Sequence, residues 1–204
     1  MESLSDRYQS ITTRIQNRAR LCGRDPSEIT LIAVTKMHPF ETIEALYQLG
    51  QRDFGENYVQ ELISKSRQAR EKGYADIRWH FIGHLQSNKV KVLLPEVYAI
   101  HSVDSVKLAS EVSKKAERPV PIFLEINIDE EESKTGAKPG ELLALLRGVR
   151  ALPQLELQGL MCIPSPEDPK KLRLSFRKVR ELGAQMIGAR CHNSMGMSDD
   201  FEIA

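Results

Sequence analysis

The sequence predicts an α/β fold, a (β/α)8 barrel of the TIM type that lacks its last strand. Two features carry that expectation. Short β-rich apolar runs alternate with longer amphipathic stretches, and repeated strand–helix units imply parallel strands with right-handed crossovers. Residues able to do chemistry then fall just after the runs, at Lys36, Glu56-Asn57, Gly83-His84 and Asn127, where a barrel gathers its loops. Seven strands are readable, one short of closure. An open doubly wound sheet is the alternative, although no G-x-G-x-x-G or G-x-x-x-x-G-K-[ST] follows any strand, which counts against a dinucleotide or P-loop protein.

The elements follow in order. An amphipathic helix is predicted over about Leu4 to Leu21, then a first strand over Thr30–Thr35. Pro39 suits the first turn of a helix running to about Leu49, with Gly50 as its stop. Asp53-Phe54-Gly55 forms the second strand and leads into a helix from about Asn57 to Lys72. The third strand is Ile77–Ile82, followed by a helix around Ser87–Leu94 that Pro95 ends. Val97–His101 is the fourth strand, with Asp104 as the cap of the helix after it. Val120–Ile128 is the fifth, before a helix over Glu141–Ala151. Leu155–Ile163 is the sixth, stopped by Pro164 and Pro166. A helix then covers roughly Lys170–Met186, where basic residues alternate with Leu172, Leu174, Phe176 and Val179 at core spacing, the mark of a solvated face. Arg190–Met197 closes the series as a short strand running into a turn.

Composition narrows the function. A chain of 204 residues reads as one domain, residues 1–204, and a chain of that size buries roughly 70% of its unfolded surface without a metal or disulfide staple. Hydrophobic content of 41% and charged content of 28% are ordinary for a soluble protein. A net charge of +1 gives no support to capture of nucleic acid or of an anionic membrane. No apolar run approaches a membrane span, and the polar start Met1–Arg7 is unlike a signal peptide. Three widely spaced cysteines, Cys22, Cys162 and Cys191, fit reduced thiols in a cytoplasmic protein. Cys191-His192 and the pair His80/His84 lack the clustered ligand count that zinc needs.

Lys36 closes the run Leu31-Ile32-Ala33-Val34-Thr35-Lys36, which reads as a buried strand. A lysine in an apolar surround loses its proton near neutral pH, and the neutral amine attacks an aldehyde. The plain alternative places its ammonium in water just past the strand. Asn57 caps the following helix through its side-chain oxygen, hydrogen-bonds a polar ring substituent of a ligand, or does both. His80, inside an aromatic strand, is either a satisfied core group or a side chain pointing into the pocket that receives Lys36. Asn193–Asp200 surrounds a glycine with small hydroxyl residues before a new helix, which suits an anion cradle; the alternative is a turn capped by Ser198 or Asp199. An amine in a barrel mouth facing an anion cradle describes a pocket for pyridoxal 5′-phosphate.

Leu31–Lys36, Phe54–Glu61, Trp79–Lys89, Asn127–Gly136, Gly159–Pro164 and Ser194–Asp200, in order and over nearly the whole chain, resemble the pyridoxal phosphate homeostasis protein family (YggS/PROSC-like). Its members look like the barrel domain of alanine racemase, a fold-type III pyridoxal phosphate fold. The resemblance implies that Lys36 holds the cofactor as an aldimine, that Asn57 and His80 lie near the pyridine ring, and that Ser194, Gly196 and Ser198 lie at the phosphate. Met161 packs on a ring face or is simply core. The resemblance also implies a cytoplasmic role in vitamin B6 and amino-acid homeostasis without established catalysis. Pyridoxal phosphate-dependent apoenzymes are then candidate partners, and the protein is expected as a monomer or weak dimer. A racemase-like enzyme is the alternative function, but racemisation needs an acid–base group on each side of the α-carbon. The family continues its last helix into an eighth strand bearing Arg-Ile-Gly-Thr, whereas this chain stops at Phe201-Glu202-Ile203-Ala204 and looks shortened between Met186 and Cys191. An open barrel edge invites pairing with another chain.

Overall fold

The computed structural model describes residues 2–165 and 168–204; Pro166, expected to help end the sixth strand, lies outside them. Seven strands form one sheet in the order β1-β2-β3-β4-β5-β6-β7, every pair parallel. They are β1 (Ala33–Val34), β2 (Asp53–Glu56), β3 (Arg78–Phe81), β4 (Ala99–Val103), β5 (Val120–Glu125), β6 (Leu155–Met161) and β7 (His192–Ser194). The helices are α1 (Leu4–Leu21), α2 (Phe40–Gln48), α3 (Val59–Glu71), α4 (Val90–Leu93), α5 (Val106–Lys115), α6 (Leu142–Arg150) and α7 (Pro169–Met186). Consecutive order without a reversal point excludes the doubly wound alternative and gives a curled barrel wall in which β1 and β7 each have one neighbour.

Local chemistry sets the helix ends. Ser3 and Asp6 form a reciprocal capping box at α1, and the Asp168 carboxylate caps α7 ahead of Pro169. Pro39 precedes α2, and Gly50, at φ +96°, turns the chain out of it. Two expected caps move. Ser105, not Asp104, caps α5 by accepting from the Leu108 N–H. Tyr58 is the N-cap residue of α3 and supplies no side-chain bond, so Asn57 is not a cap.

Strand boundaries shift for equally local reasons. The first strand is predicted over Thr30–Thr35 but pairs only at Ala33 and Val34, because it has a partner on one side alone. The fourth starts at Ala99, since Val97 still closes the turn that ends α4 by donating to the Leu93 carbonyl. Ile126–Ile128 leave the fifth strand; Ile126 keeps one bridge to Ala137 at the neck of a loop.

The apolar core lies between sheet and helices. Phe54, Phe81, Ile100, Ile122, Leu124 and Leu160 are fully buried and occupy matching registers on the helix-facing side. The opposite, inward face carries Asp53, Gly55, His80, His101 and Ser194, a polar set where barrels usually stack branched apolar residues. Gly159, also inward, is needed for close approach: a Cβ there would overlap the His192 carbonyl of β7. Gly159→Ala therefore lowers stability by more than about 2 kcal/mol, measured by urea unfolding, with β7 amides losing exchange protection first.

Candidate functional site

All seven strands end on one rim, and the predicted site residues lie there or just beneath it. Ile32 and Val34 pack beside the bare face of Gly55, so they point inward, while Thr35 points outward to Glu56. The same alternation brings Lys36 to the inward side of the rim. Its side chain is exposed, so the apolar run leading to it does not bury it. The fully enclosed lysine is another one. Lys65 of α3 sits behind β1 and β2, 5% exposed, bonded to the Thr35 carbonyl at 2.6 Å, Glu56 Oε1 at 2.8 Å and Glu61 Oε1 at 2.6 Å.

Asn57 follows β2 at the rim. Its Oδ1 is buried without a partner, and Gly83 leaves room for its backbone, since a Cβ at that glycine would overlap the Asn57 carbonyl. Buried acceptors are normally satisfied, so an open one beside Lys36's strand suits a ligand donor. On the far edge, Ser194 ends β7, Gly196 turns at φ +88°, and Ser198 is exposed. The expected helix there is a set of overlapping turns over Ser198–Ile203. No side-chain cap from Ser198 or Asp199 forms; the turns start at Met197, whose N–H donates to the Asp200 carboxylate inside them.

His80 lies deeper, and both its ring nitrogens are engaged. Nε2 meets Asp53 Oδ1 at 2.9 Å and Nδ1 meets His101 Nε2 at 2.9 Å; His101 Nδ1 in turn meets Ser194 Oγ at 2.7 Å. Burial alone would raise the Asp53 carboxyl, but hydrogen bonds from His80 and Arg78 outweigh it and hold the group at about 2. Asp53 is thus an acceptor at neutral pH, and His80 Nε2 donates to it. With His80 neutral, Nδ1 accepts from His101 and Ser194 donates its hydroxyl hydrogen to His101. With His80 protonated the chain reverses, and the Ser194 hydrogen is free for an anion. His80 reaches the rim only through His101 and Ser194.

Other sequence candidates have structural partners. Asn127 accepts from the Glu131 N–H and donates to the Glu131 and Lys134 carbonyls, which shapes the loop after β5. Met161 is buried at the end of β6. His84 is exposed, 3.9 Å from Asp104, in a rim concavity of about 540 Å³ between the β3 and β4 loops. None of Lys36, Asn57, His80, Ser194, Gly196 or Ser198 lines that concavity. Among the described residues, no group of three or more His, Cys, Asp or Glu converges as a metal site, and no helix is long and apolar enough to cross a membrane.

Sequence reasoning passes over His101, Asp53 and Lys65. Lys65 carries a legible signal: it falls on the apolar face of α3 with Leu62, Ile63 and Ala69. His101 and Asp53 carry none, because their roles depend on register across three strands.

A seven-stranded parallel barrel wall with a rim lysine just after β1 and a glycine turn after β7 belongs to the class of alanine racemase-type barrels. The family model described as alanine racemase, N-terminal domain, matches residues 7–203. The pyridoxal phosphate homeostasis protein of Escherichia coli (strain K12) is 37% identical, over 100% of this chain and 90% of that protein. PipY of Synechococcus elongatus PCC7942, solved with PLP bound, superposes with a TM-score of 0.80 at 35% identity, over 93% of this chain and 92% of PipY. Alanine racemase from Corynebacterium glutamicum shares the fold, with a TM-score of 0.66 at 15% identity, over 95% of this chain and 55% of the racemase. The chain belongs to the pyridoxal phosphate homeostasis protein family, within the alanine racemase N-terminal-domain barrels.

His101 gives the interior a pH dependence. Burial, then the neighbouring His80 charge, holds its imidazole down to about 3, well below the usual 6.5. The unfolded chain therefore takes up a proton that the folded chain refuses, and stability present above about pH 6.5 is lost as pH falls. The expected slope approaches about 1.4 kcal/mol per pH unit between about pH 6 and 4.5. His101→Gln flattens that slope in urea titrations across the same window.

Proposed function

We propose that this chain is a pyridoxal 5′-phosphate-binding protein of intracellular vitamin B6 and amino-acid homeostasis, residues 1–204 forming one cofactor-binding unit without catalysis of its own. The observation that carries the reading is the buried, unpartnered Asn57 Oδ1 just after β2, the strand paired with β1, an acceptor that suits a ring hydroxyl. Likeness to the Escherichia coli homeostasis protein over 90% of its length and to PLP-bound PipY over 92% of its chain supports it. When bound, the cofactor supplies an aldehyde. Lys36 would be the residue that holds the cofactor through that aldehyde, reversibly.

The other residues take roles by position. Asn57 orients the ring. Ser194, Gly196 and Ser198 receive the phosphate, with Gly196 letting backbone approach and the two hydroxyls donating. His80 acts from beneath, setting through His101 whether the Ser194 hydroxyl faces the anion. Pyridoxal phosphate-dependent apoenzymes are the proposed acceptors, and the protein works in the cytoplasm as a monomer or weak dimer. A racemase reading rests on fold alone, since this barrel matches 55% of the racemase chain at 15% identity. Exchange of amino-acid α-hydrogens with solvent in the presence of cofactor would favour it.

The test is visible absorption with added pyridoxal 5′-phosphate, then borohydride reduction and peptide mapping. A reduced adduct on Lys36 is expected; an unmodified Lys36 peptide overturns the reading. Lys36→Ala abolishes the adduct with melting unchanged, because the exposed amine holds nothing together. Ser194→Ala and Ser198→Ala each weaken cofactor retention by about tenfold while Lys36 still reacts, as expected for loss of one hydrogen bond to a charged group. Unchanged affinity in both removes the phosphate assignment.

A further inference from the structure

Lys36 has a neighbour on each side, and both are tied to one buried ammonium. Before it, the Thr35 carbonyl accepts from Lys65 Nζ at 2.6 Å, and the Thr35 hydroxyl donates to Glu56 Oε1 at 2.7 Å. After it, the Met37 N–H donates to Glu61 Oε1 at 2.7 Å. Glu56 Oε1 and Glu61 Oε1 lie 2.8 and 2.6 Å from the same Nζ. Three donors therefore meet three acceptors, and all three acceptors lead to the turn that presents Lys36.

Met37 adopts φ +62°, the left-handed region, which costs a non-glycine residue about 1–2 kcal/mol. The residue is 83% exposed, so packing does not hold it there. The Glu61 carboxylate does, and Lys65, one helical turn on, holds Glu61. Burying an ammonium and a carboxylate is expensive, and replacement by apolar residues would often serve stability as well. Glu56 even retains a buried Oε2 without a partner. Stability does not account for such an arrangement. A fixed turn does.

We infer that Lys65 is a positioning residue for Lys36: its buried ammonium, through Thr35, Glu56 and Glu61, locks the turn that aims the Lys36 amine at an aldehyde ligand. The inference rests on Lys36 being the cofactor lysine. It also explains why Lys65 is not itself the reactive one, since all three of its donors are taken and it is enclosed.

The test is competitive labelling within one molecule. The protein is treated with a limiting amount of pyridoxal 5′-phosphate, reduced with borohydride and digested. Adduct on the Lys36 peptide is then divided by adduct on the exposed Lys170–Lys171 peptide. Wild type should favour Lys36 strongly. Lys65→Met and Glu61→Ala should each lower the ratio by ~10-fold or more, as misplacement of a reacting group does. Glu61→Ala sits at the less buried end of the network and decides the matter where Lys65→Met fails to fold. Far-UV circular dichroism of Glu61→Ala should match wild type at the labelling temperature, so that selectivity lost in a folded chain separates positioning from a merely structural role. A wild-type preference retained in a folded Glu61→Ala or Lys65→Met overturns the positioning role and leaves the cofactor reading intact. Absence of any Lys36 preference in wild type overturns both.

Discussion

The buried ammonium of Lys65 is the constraint around which this end of the barrel is built. An isolated lysine in that position would shed its proton or its place, since removing a charge from water costs several kcal/mol even after relaxation. It persists because each donor meets an oxygen at 2.6–2.8 Å, two of them on carboxylates. Burial pushes the Glu56 carboxyl upward, against the pull of Lys65 and Thr35. The network thus joins α3, β2 and the end of β1 through groups that have no other way to be satisfied. Replacing any one of them leaves the others exposed to the same penalty.

The inward face is built on a different logic. A barrel of ordinary type fills its interior with branched side chains, which fixes shape through packing. Here a chain of hydrogen bonds runs from Arg78 and Asp53 near the start of β2 and β3, through His80 and His101, to Ser194 at the rim. The His101 ring stacks on Phe123, with centroids 4.3 Å apart. Orientation of one hydroxyl at the mouth is therefore tied to the tautomers of two buried rings. Hydrophobic packing has no means of supplying that control.

Much of this was legible in the sequence, and the gaps have physical causes. The alternation of runs gave the strand order and the barrel, and α1 falls over Leu4–Leu21 as its periodicity requires. Boundaries failed where they depend on a neighbour, as at β1, whose apolar run pairs at only Ala33 and Val34. Lysine 36 stood out because an apolar run precedes it, yet that signal marks an inward-facing strand end and not a buried amine. The buried amine, Lys65, is marked only by its place on the apolar face of α3 beside Leu62 and Ala69, a fainter signal than an apolar run that ends in a lysine. Asn57 was legible as special, but its two readings separate only when Tyr58 is seen to start α3 and the Asn57 oxygen is left unpaired. His101 was invisible, since nothing local marks a histidine whose partners come from β3 and β7.

The two edges of the sheet carry the two halves of the proposed site. Lys36 follows β1 and Ser194 ends β7, and each of these strands has a ladder on one side only. Edge strands are the least restrained part of a sheet, with two pairs holding β1 and three holding β7. Each is fastened by a side-chain link from further into the sheet. On β1 the link is outward, through Thr35 to Lys65 and Glu56; on β7 it is inward, through Ser194 to His101. The exposed pair Arg14–Glu202 between α1 and the C-terminal turn adds little to either. Both links end on β2 and β3, through Glu56 in one case and through His80 in the other, so the amine and the proposed anion cradle share one rigid reference. A site divided between two free edges keeps its geometry in this way without a ladder joining them directly.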